Sequence, residues 1–222
     1  MIQAVFFDMD NTLVDTEWAA GRAVRLVIES FGIVCDPADE LAVIGIPWET
    51  IFTNYPKKYR IPLSYDEFKD KVLDTKAAIL GQVTHELPGA TEALRRCAKR
   101  YPVAVVSGSY RHEVQATLSA LKVLDFVRFF IANEDSMPGK PDPKPYLLAA
   151  ERLNVDPKRC VVFEDSEVGV KAARSAGMFV IAVLASNPAG FALEQAHERI
   201  PSLEIVDDAW LDTLSLRLGT HP

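Results

Sequence analysis

The sequence predicts an α/β protein, a doubly wound parallel sheet carrying a small α-helical domain inserted after its first strand. Three observations predict it. Short runs at 2–7, 103–106, 128–132, 160–163 and 178–184, apolar throughout except for Gln3 and Arg128, have the near-continuous hydrophobicity of strands buried on both faces. From residue 87 onward these runs alternate with amphipathic helical patterns, the order that builds βαβ units with helices on both faces. Between the first run and residue 87 the patterning is helical, without a convincing strand. The expected division is a core of residues 1–14 and 87–222 and a helical insertion of residues 15–86.

The elements follow in order. The strand ending at Phe7 stops abruptly in Asp8-Met9-Asp10-Asn11-Thr12. Asp15 or Thr16 can cap a helix with Ala20, Ala23, Val24, Val27, Ile28 and Phe31 at helical spacing, stopped by Gly32. A polar, proline-punctuated segment holds Gly45-Ile46-Pro47-Trp48-Glu49 and the basic cluster Lys57-Lys58-Tyr59-Arg60. Ser64-Tyr65-Asp66-Glu67 is a capping box that opens a helix burying Phe68, Val72, Leu73, Ile79 and Leu80, with Gly81 as its stop. In the core, helices through Leu94 and Cys97, through Val114 and Leu118, through Tyr146 and Ala150, and through Val170 and Ala173 separate the strands. Ser166 caps the last of these, and residues 207–218 form a final amphipathic helix.

Composition narrows the function. A chain of 222 residues with 49% hydrophobic and 25% charged residues is an ordinary globular protein. A formal charge of -7 lacks the basic footprint of a nucleic-acid binder, yet accommodates a small phosphorylated substrate. Cys35, Cys97 and Cys160 are odd in number and widely spaced, as expected of reduced, buried thiols in a cytoplasmic protein. No export signal or membrane anchor is expected. His85, His112, His197 and His221 show no metal-ligand spacing.

Four polar constellations fall at the predicted carboxyl ends of strands: Asp8 with Asp10, Ser107, Lys140 in a following loop, and Glu164 with Asp165. In an open parallel sheet those ends face the ligand crevice. Together they supply carboxylate oxygens for a cation, a hydroxyl donor and a fixed positive charge, the inventory that holds a phosphoryl group against Mg²⁺. Each also has a structural explanation alone: a cap at Ser107, an exposed turn at Lys140, an acidic helix start at Glu164 and Asp165. All four together are hard to assign to chance.

Asp8-Met9-Asp10-Asn11-Thr12, Val106-Ser107, Lys140-Pro141-Asp142-Pro143 and Phe163-Glu164-Asp165-Ser166 resemble, in order, the four motifs of the haloacid dehalogenase superfamily, in its phosphatase and phosphomutase branch. The helical insertion lies where that family's type-1 cap lies. The resemblance implies that Asp8 is the nucleophile, forming an aspartyl-phosphate, and Asp10 the general acid/base. It implies phosphoryl contacts from Ser107 and Lys140, with Asn11, Thr12 and Gly108 in the same phosphate-binding loops. It implies Mg²⁺ held by Asp8, Asp10 through its carbonyl, Asp165 and Glu164. Asn11 stands where glycine is commoner, and asparagine tolerates the left-handed backbone. Expected substrate contacts are Thr16, Glu17, Trp48 and Lys57 in the cap and Arg111 in the core.

The expected activity is therefore Mg²⁺-dependent hydrolysis of a small phosphorylated metabolite, such as a sugar phosphate, phosphoglycolate or a nucleotide, by a monomer or weak homodimer. The alternative is a sugar phosphomutase of the β-phosphoglucomutase type. That group tends to place a histidine and an arginine where Ala20 and Trp48 stand, which favours net hydrolysis. Asp10 disfavours a dehalogenase, since halide leaves without a proton. A receiver-type phosphoacceptor would carry its aspartate on a later strand and no cap. A non-catalytic phospho-ligand sensor would not need all four motifs.

Overall fold

The structure, a computed structural model, describes residues 1–43, 48–82, 85–186 and 193–219, with Glu17, Gln82 and Gly219 described by their backbone alone. Gly45, Ile46, Pro47, His221 and the Glu17 side chain, all singled out above, lie outside the described residues. In chain order the elements are β1 (Ala4–Phe7), β2 (Val14–Asp15), α1 (Glu17–Glu29), α2 (Pro37–Ala42), α3 (Trp48–Lys58), α4 (Tyr65–Gln82) and β3 (His85–Glu86). They continue with α5 (Ala90–Arg100), β4 (Val103–Val106), α6 (Arg111–Ala120), β5 (Phe129–Ile131), α7 (Lys144–Leu153), β6 (Cys160–Glu164), α8 (Glu167–Ser175), β7 (Phe179–Val183), β8 (Glu198–Ile200) and α9 (Asp208–Gly219). No described helix is long and apolar enough to cross a membrane.

The large sheet has the order β5-β4-β1-β6-β7-β8 with every pairing parallel. Its strands lack polar alternation because both faces are covered. Val5, Phe7, Val103, Val105, Val161 and Phe163 point to one face, under Leu94 and Cys97 of α5, Leu118 of α6 and Leu211 of α9. Ala4, Phe6, Ala104, Val106, Cys160 and Val162 point to the other, under Tyr146 of α7 and Val170 of α8. β8 was not expected from the sequence: Glu198-Arg199-Ile200 is a short, half-polar edge strand, and it pairs with β7 alone.

The chain divides into two compact units, Met1–Asp15 with His85–Pro222, and Thr16–Thr84. The helical unit packs α1 on α4, with Val24, Val27, Ile28, Phe68, Val72 and Leu80 buried, and α3 adds Ile51 and Phe52. Three expectations for this region need correction. The polar segment is largely helical, because Asp36 caps α2 and the aromatic spacing Trp48, Phe52, Tyr55 drives α3. Gly81 does not stop α4, which runs on to Gln82; a single glycine is tolerated inside a helix. A strand pair is also present at the edge of the insertion: β2 and β3 pair antiparallel, Val14 with Glu86 and Asp15 with His85. Two residues a side are too few to show any alternation. The expected capping box is formed, with Glu67 Oε2 accepting from the Ser64 amide at 2.8 Å and Ser64 Oγ accepting from the Glu67 amide at 3.3 Å. All three cysteines are free and buried.

Candidate functional site

The register of two strands places the acidic residues. Phe7 pairs with Phe163, and their rings stack at 4.8 Å on one face of the sheet. Because side chains alternate, Asp8 and Glu164, each one residue further, turn to the opposite face, where α7 and α8 lie. The Asp8 amide donates to the Phe163 carbonyl at 2.9 Å and continues the ladder to this point. β1 is central in the sheet, so Asp8 projects at the crevice where the strand order reverses.

Lys140 is the hub of the cluster. Its Nζ donates to Asp8 Oδ1 at 2.6 Å, to Glu164 Oε1 at 2.6 Å and to the Val106 carbonyl at 2.9 Å. An ammonium group has three N–H donors, and all three are used. Tyr146, fully buried on α7, donates to the same Glu164 Oε1 at 2.7 Å, and the lysine Nζ stands 5.1 Å from the Tyr146 ring centroid. Glu164 Oε2 accepts from Ser166 Oγ at 3.0 Å and from the amides of Asp165 and Ser166 at 3.2 and 3.3 Å. Both oxygens of this wholly buried carboxylate are thus bonded, and Gly169 on α8 lies directly against it. A Cβ there would fall 1.8 Å from Glu164 Oε1.

Asp8, Glu164 and Asp165 each place one carboxylate oxygen within 4.8 Å of the others. Burial, reinforced by the charges of Glu164 and Asp10 and opposed by Lys140, pushes the Asp8 carboxyl up to about 8. Burial, with the charges of Asp8 and Glu164, pushes Asp165 up to about 9. Burial acts against the Lys140 ammonium, but Asp8 and Glu164 outweigh it and hold the group well above the ordinary lysine range. One ammonium among three carboxylates leaves an excess of negative charge, and the oxygen-only donor set suits a hard divalent cation such as Mg²⁺.

On the β4 side, Ser107 Oγ donates to Asp10 Oδ2 at 2.9 Å, and Ser109 Oγ donates to the same oxygen at 2.7 Å. The loop after β1 is drawn tight by amides of Thr12, Leu13 and Val14 that turn back on the Met9 carbonyl, and Asn11 takes φ 59°, the left-handed conformation its residue type permits. Thr12 is buried, with its hydroxyl 3.3 Å from Asp165 Oδ1. Gly108 is exposed, and its carbonyl accepts from Asn133 Nδ2 at 3.2 Å.

The structure therefore brings Asp8, Asp10, Asn11, Thr12, Ser107, Lys140, Glu164 and Asp165 to the carboxyl ends of β1, β4 and β6. Arg111, at the start of α6, is bound to Asp135 at 2.5 Å and lies over the Phe130 ring. In the helical unit, Thr16 is buried, Lys57 is exposed in the last turn of α3, and Trp48 stacks on Phe52 at 5.1 Å. Lys58 and Tyr59 of the basic cluster are both bonded to Asp39. Sequence reasoning passed over three residues. Tyr146 falls on an apolar stripe of α7, yet its hydroxyl needs a buried partner and finds it in Glu164. Ser109 repeats the hydroxyl of Ser107 two residues on. Lys76, on an otherwise inward stripe of α4, is buried with its Nζ 5.7 Å from the Trp48 ring centroid.

Comparison with known proteins shows the family. The family model of haloacid dehalogenase-like hydrolases matches residues 2–177. The phosphorylated carbohydrates phosphatase of Thermotoga maritima is 36% identical over 181 residues, 80% of this chain and 82% of that protein. The fructose-1-phosphate phosphatase of Escherichia coli is 30% identical over 179 residues, 81% of this chain and 95% of its own length. A crystal structure from Thermotoga maritima, assigned as a β-phosphoglucomutase, superposes with a TM-score of 0.81 at 33% identity, covering 95% of this chain and 99% of that one. A family model matched over residues 2–177, with relatives at 36% and 30% identity over four fifths of the chain, shows the kinship: the chain belongs to the haloacid dehalogenase-like hydrolase family, among its phosphatases.

Proposed function

We propose that the protein is a Mg²⁺-dependent phosphatase that hydrolyses a small phosphorylated carbohydrate through an aspartyl-phosphate on Asp8. The observation that carries this reading is the gathering of Asp8, Glu164 and Asp165 at the carboxyl ends of β1 and β6, with the Lys140 ammonium paired to the first two. The relatives named above, a phosphorylated carbohydrates phosphatase and a fructose-1-phosphate phosphatase, support the substrate class.

Asp8 and Asp165 would hold the Mg²⁺ ion with the Asp10 carbonyl, and Glu164, saturated by protein donors, would brace the site from behind. When bound, the ion supplies positive charge against the phosphoryl oxygens and keeps the carboxylates ionised. Lys140 orients Asp8 and favours its ionised form against burial, and it exchanges one of its three hydrogen bonds for a phosphoryl oxygen. Ser107 donates to a second phosphoryl oxygen. Asp8 attacks phosphorus, and the P–O bond to the leaving group breaks as Asp10 delivers a proton to the departing oxygen. Asp10 then takes a proton from the water that attacks the aspartyl-phosphate, releasing inorganic phosphate and restoring Asp8. Choice of leaving group we assign to the helical unit, residues 15–86, acting as a cap, with Thr16, Glu17, Trp48 and Lys57 as candidate contacts, and to Arg111 of the core.

The test is phosphate release from a panel of hexose, pentose and glycerol phosphates, with Mg²⁺ and with EDTA, using Asp8→Asn as the control. The proposal requires release that depends on Mg²⁺ and is abolished in Asp8→Asn. Likeness to the structure assigned as a β-phosphoglucomutase favours a second reading, a sugar phosphomutase. It would convert sugar 1-phosphate to 6-phosphate with no net release of phosphate, and the same panel separates the two.

A further inference from the structure

We infer that Ser109 is the positioning residue for the Asp10 carboxyl group, the hydroxyl that stays on Asp10 when substrate takes Ser107 away. The inference rests on the assignment of Asp10 as general acid given above. Two O–H groups converge on one oxygen: Ser109 Oγ at 2.7 Å and Ser107 Oγ at 2.9 Å from Asp10 Oδ2. A hydroxyl has a single proton to donate. Ser107 therefore cannot bind a phosphoryl oxygen and keep its bond to Asp10, so occupation of the site by a phosphoryl group leaves Asp10 Oδ2 to Ser109.

Ser109 is built to stay. Its amide donates to Ser107 Oγ at 2.9 Å, and its carbonyl accepts from the Asn133 amide at 2.9 Å, so its backbone is fixed on both sides. The Ser109 amide also supplies Ser107 Oγ with a donor, which directs the Ser107 hydroxyl proton outward to whichever acceptor is present.

The pairing also decides which oxygen of Asp10 works. Oδ2 is committed as an acceptor, so the proton delivered to the leaving group departs from Oδ1. The P–O bond breaks with its electron pair on the leaving oxygen, the proton passes from Oδ1 to that oxygen, and Asp10 is left as a carboxylate. Without Ser109, Oδ2 loses the hydroxyl that stays on it once substrate engages Ser107, and the proton is less well aimed. Misplacement by about 1 Å costs up to 10²-fold in such steps.

The experiment compares Ser109→Ala with wild type on two esters: the sugar phosphate that wild type hydrolyses fastest, and p-nitrophenyl phosphate, whose leaving group departs as a stable anion. Single-turnover release of the sugar is expected to fall roughly 10- to 100-fold, and the nitrophenolate burst at least about tenfold less than that. Ser109→Thr, which keeps the hydroxyl, is expected to recover most of the sugar rate. Equal losses on both esters, no loss on either, or failure of threonine to rescue would overturn the inference while leaving the phosphatase assignment intact. If wild type releases no phosphate from any ester, or Asp8→Asn remains active, the assignment itself fails and the inference falls with it.

Discussion

Gly169→Ala tests whether the Glu164 carboxylate is as immobile as its surroundings require. The new Cβ would lie 1.8 Å from Oε1, 1.9 Å from Cδ and 2.1 Å from Oε2 of Glu164. Non-bonded carbon and oxygen settle at about 3.5 Å, so the carboxylate must retreat by roughly 1.5 Å. That movement breaks bonds now between 2.6 and 3.3 Å long, to Lys140, Tyr146, Ser166 and two backbone amides. Hydrogen bonds to a charged group contribute about 1.5–3 kcal/mol each, and overpacking costs about 1–3 kcal/mol. Against this, alanine gains up to about 1 kcal/mol over glycine inside a helix. If the shifted carboxylate re-forms all but one of these bonds, the net expectation is a loss of roughly 2–5 kcal/mol, which in a chain of this size lowers Tm by roughly 5–15 °C. Thermal unfolding with and without Mg²⁺ reads the effect, and the Mg²⁺-induced rise in Tm should shrink as Lys140 and Asp8 lose their brace. A variant with wild-type Tm and wild-type Mg²⁺ response would refute the reasoning, since it would mean that Glu164 is free to move aside.

Thermal unfolding and phosphate release read the other perturbations. Gly81→Ala, at an exposed helical position where a Cβ meets nothing within 4 Å, should stabilise by about 0.5–1 kcal/mol, and a fall in Tm would contradict the α4 assignment. Tyr146→Phe removes a donor from a buried carboxylate and should cost roughly 1.5–3 kcal/mol; a neutral result would show that Glu164 does not need it. Asp8→Asn should be inactive on every ester, whereas Asp10→Asn should lose about 10²- to 10⁴-fold yet still be phosphorylated by a substrate with a good leaving group. In the metal-free protein Asp8 at about 8 and Asp165 at about 9 hold protons that the unfolded chain, near 3.8, has lost. Their contribution to stability is complete below the unfolded value and is lost as pH rises through 8 and 9. The EDTA-treated protein should therefore lose Tm towards alkaline pH, and the Mg²⁺-induced rise should grow between about pH 6 and pH 9 as metal displaces those protons; a rise independent of pH would count against a carboxylate site.

Strands buried on both faces were legible because short apolar runs bounded by polar turns and alternating with helical patterns suit strands covered on either side, and Asp8 and Glu164 were legible as polar residues ending two of them. The elements that escaped were those whose stability is not local. β8 and the β2–β3 pair are two or three residues long and exist through their partners. Gly81 has the look of a stop because composition alone does not tell a tolerated helical glycine from a terminal one. Within the site, carboxylates and Lys140 stood out by charge, whereas Tyr146 hid in an apolar stripe and Ser109 behind Ser107. Neither residue has a distinctive spacing; what distinguishes each is a partner contributed by an element remote in sequence, Glu164 for Tyr146 and Asp10 for Ser109.

The same remoteness explains why the fold tolerates a cluster that weakens it. Three carboxylates near one ammonium, with Asp8 and Glu164 buried and Asp165 partly so, are an unfavourable arrangement for folding alone, since burying charge without full compensation costs several kcal/mol. Two features offset it. The ladder of β1 against β6, clamped by the Phe7–Phe163 stack, fixes Asp8 and Glu164 from below through backbone bonds that do not depend on charge. From the side, Gly169 lets α8 approach closely enough for the amides of Asp165 and Ser166 to meet Glu164. What remains uncompensated is concentrated on Asp8 and Asp165, the two carboxyls whose affinity for protons is raised. An apolar sheet on both faces supplies the stability, and the strand ends spend it on the one place where a cation and a phosphoryl group can take up the residual charge.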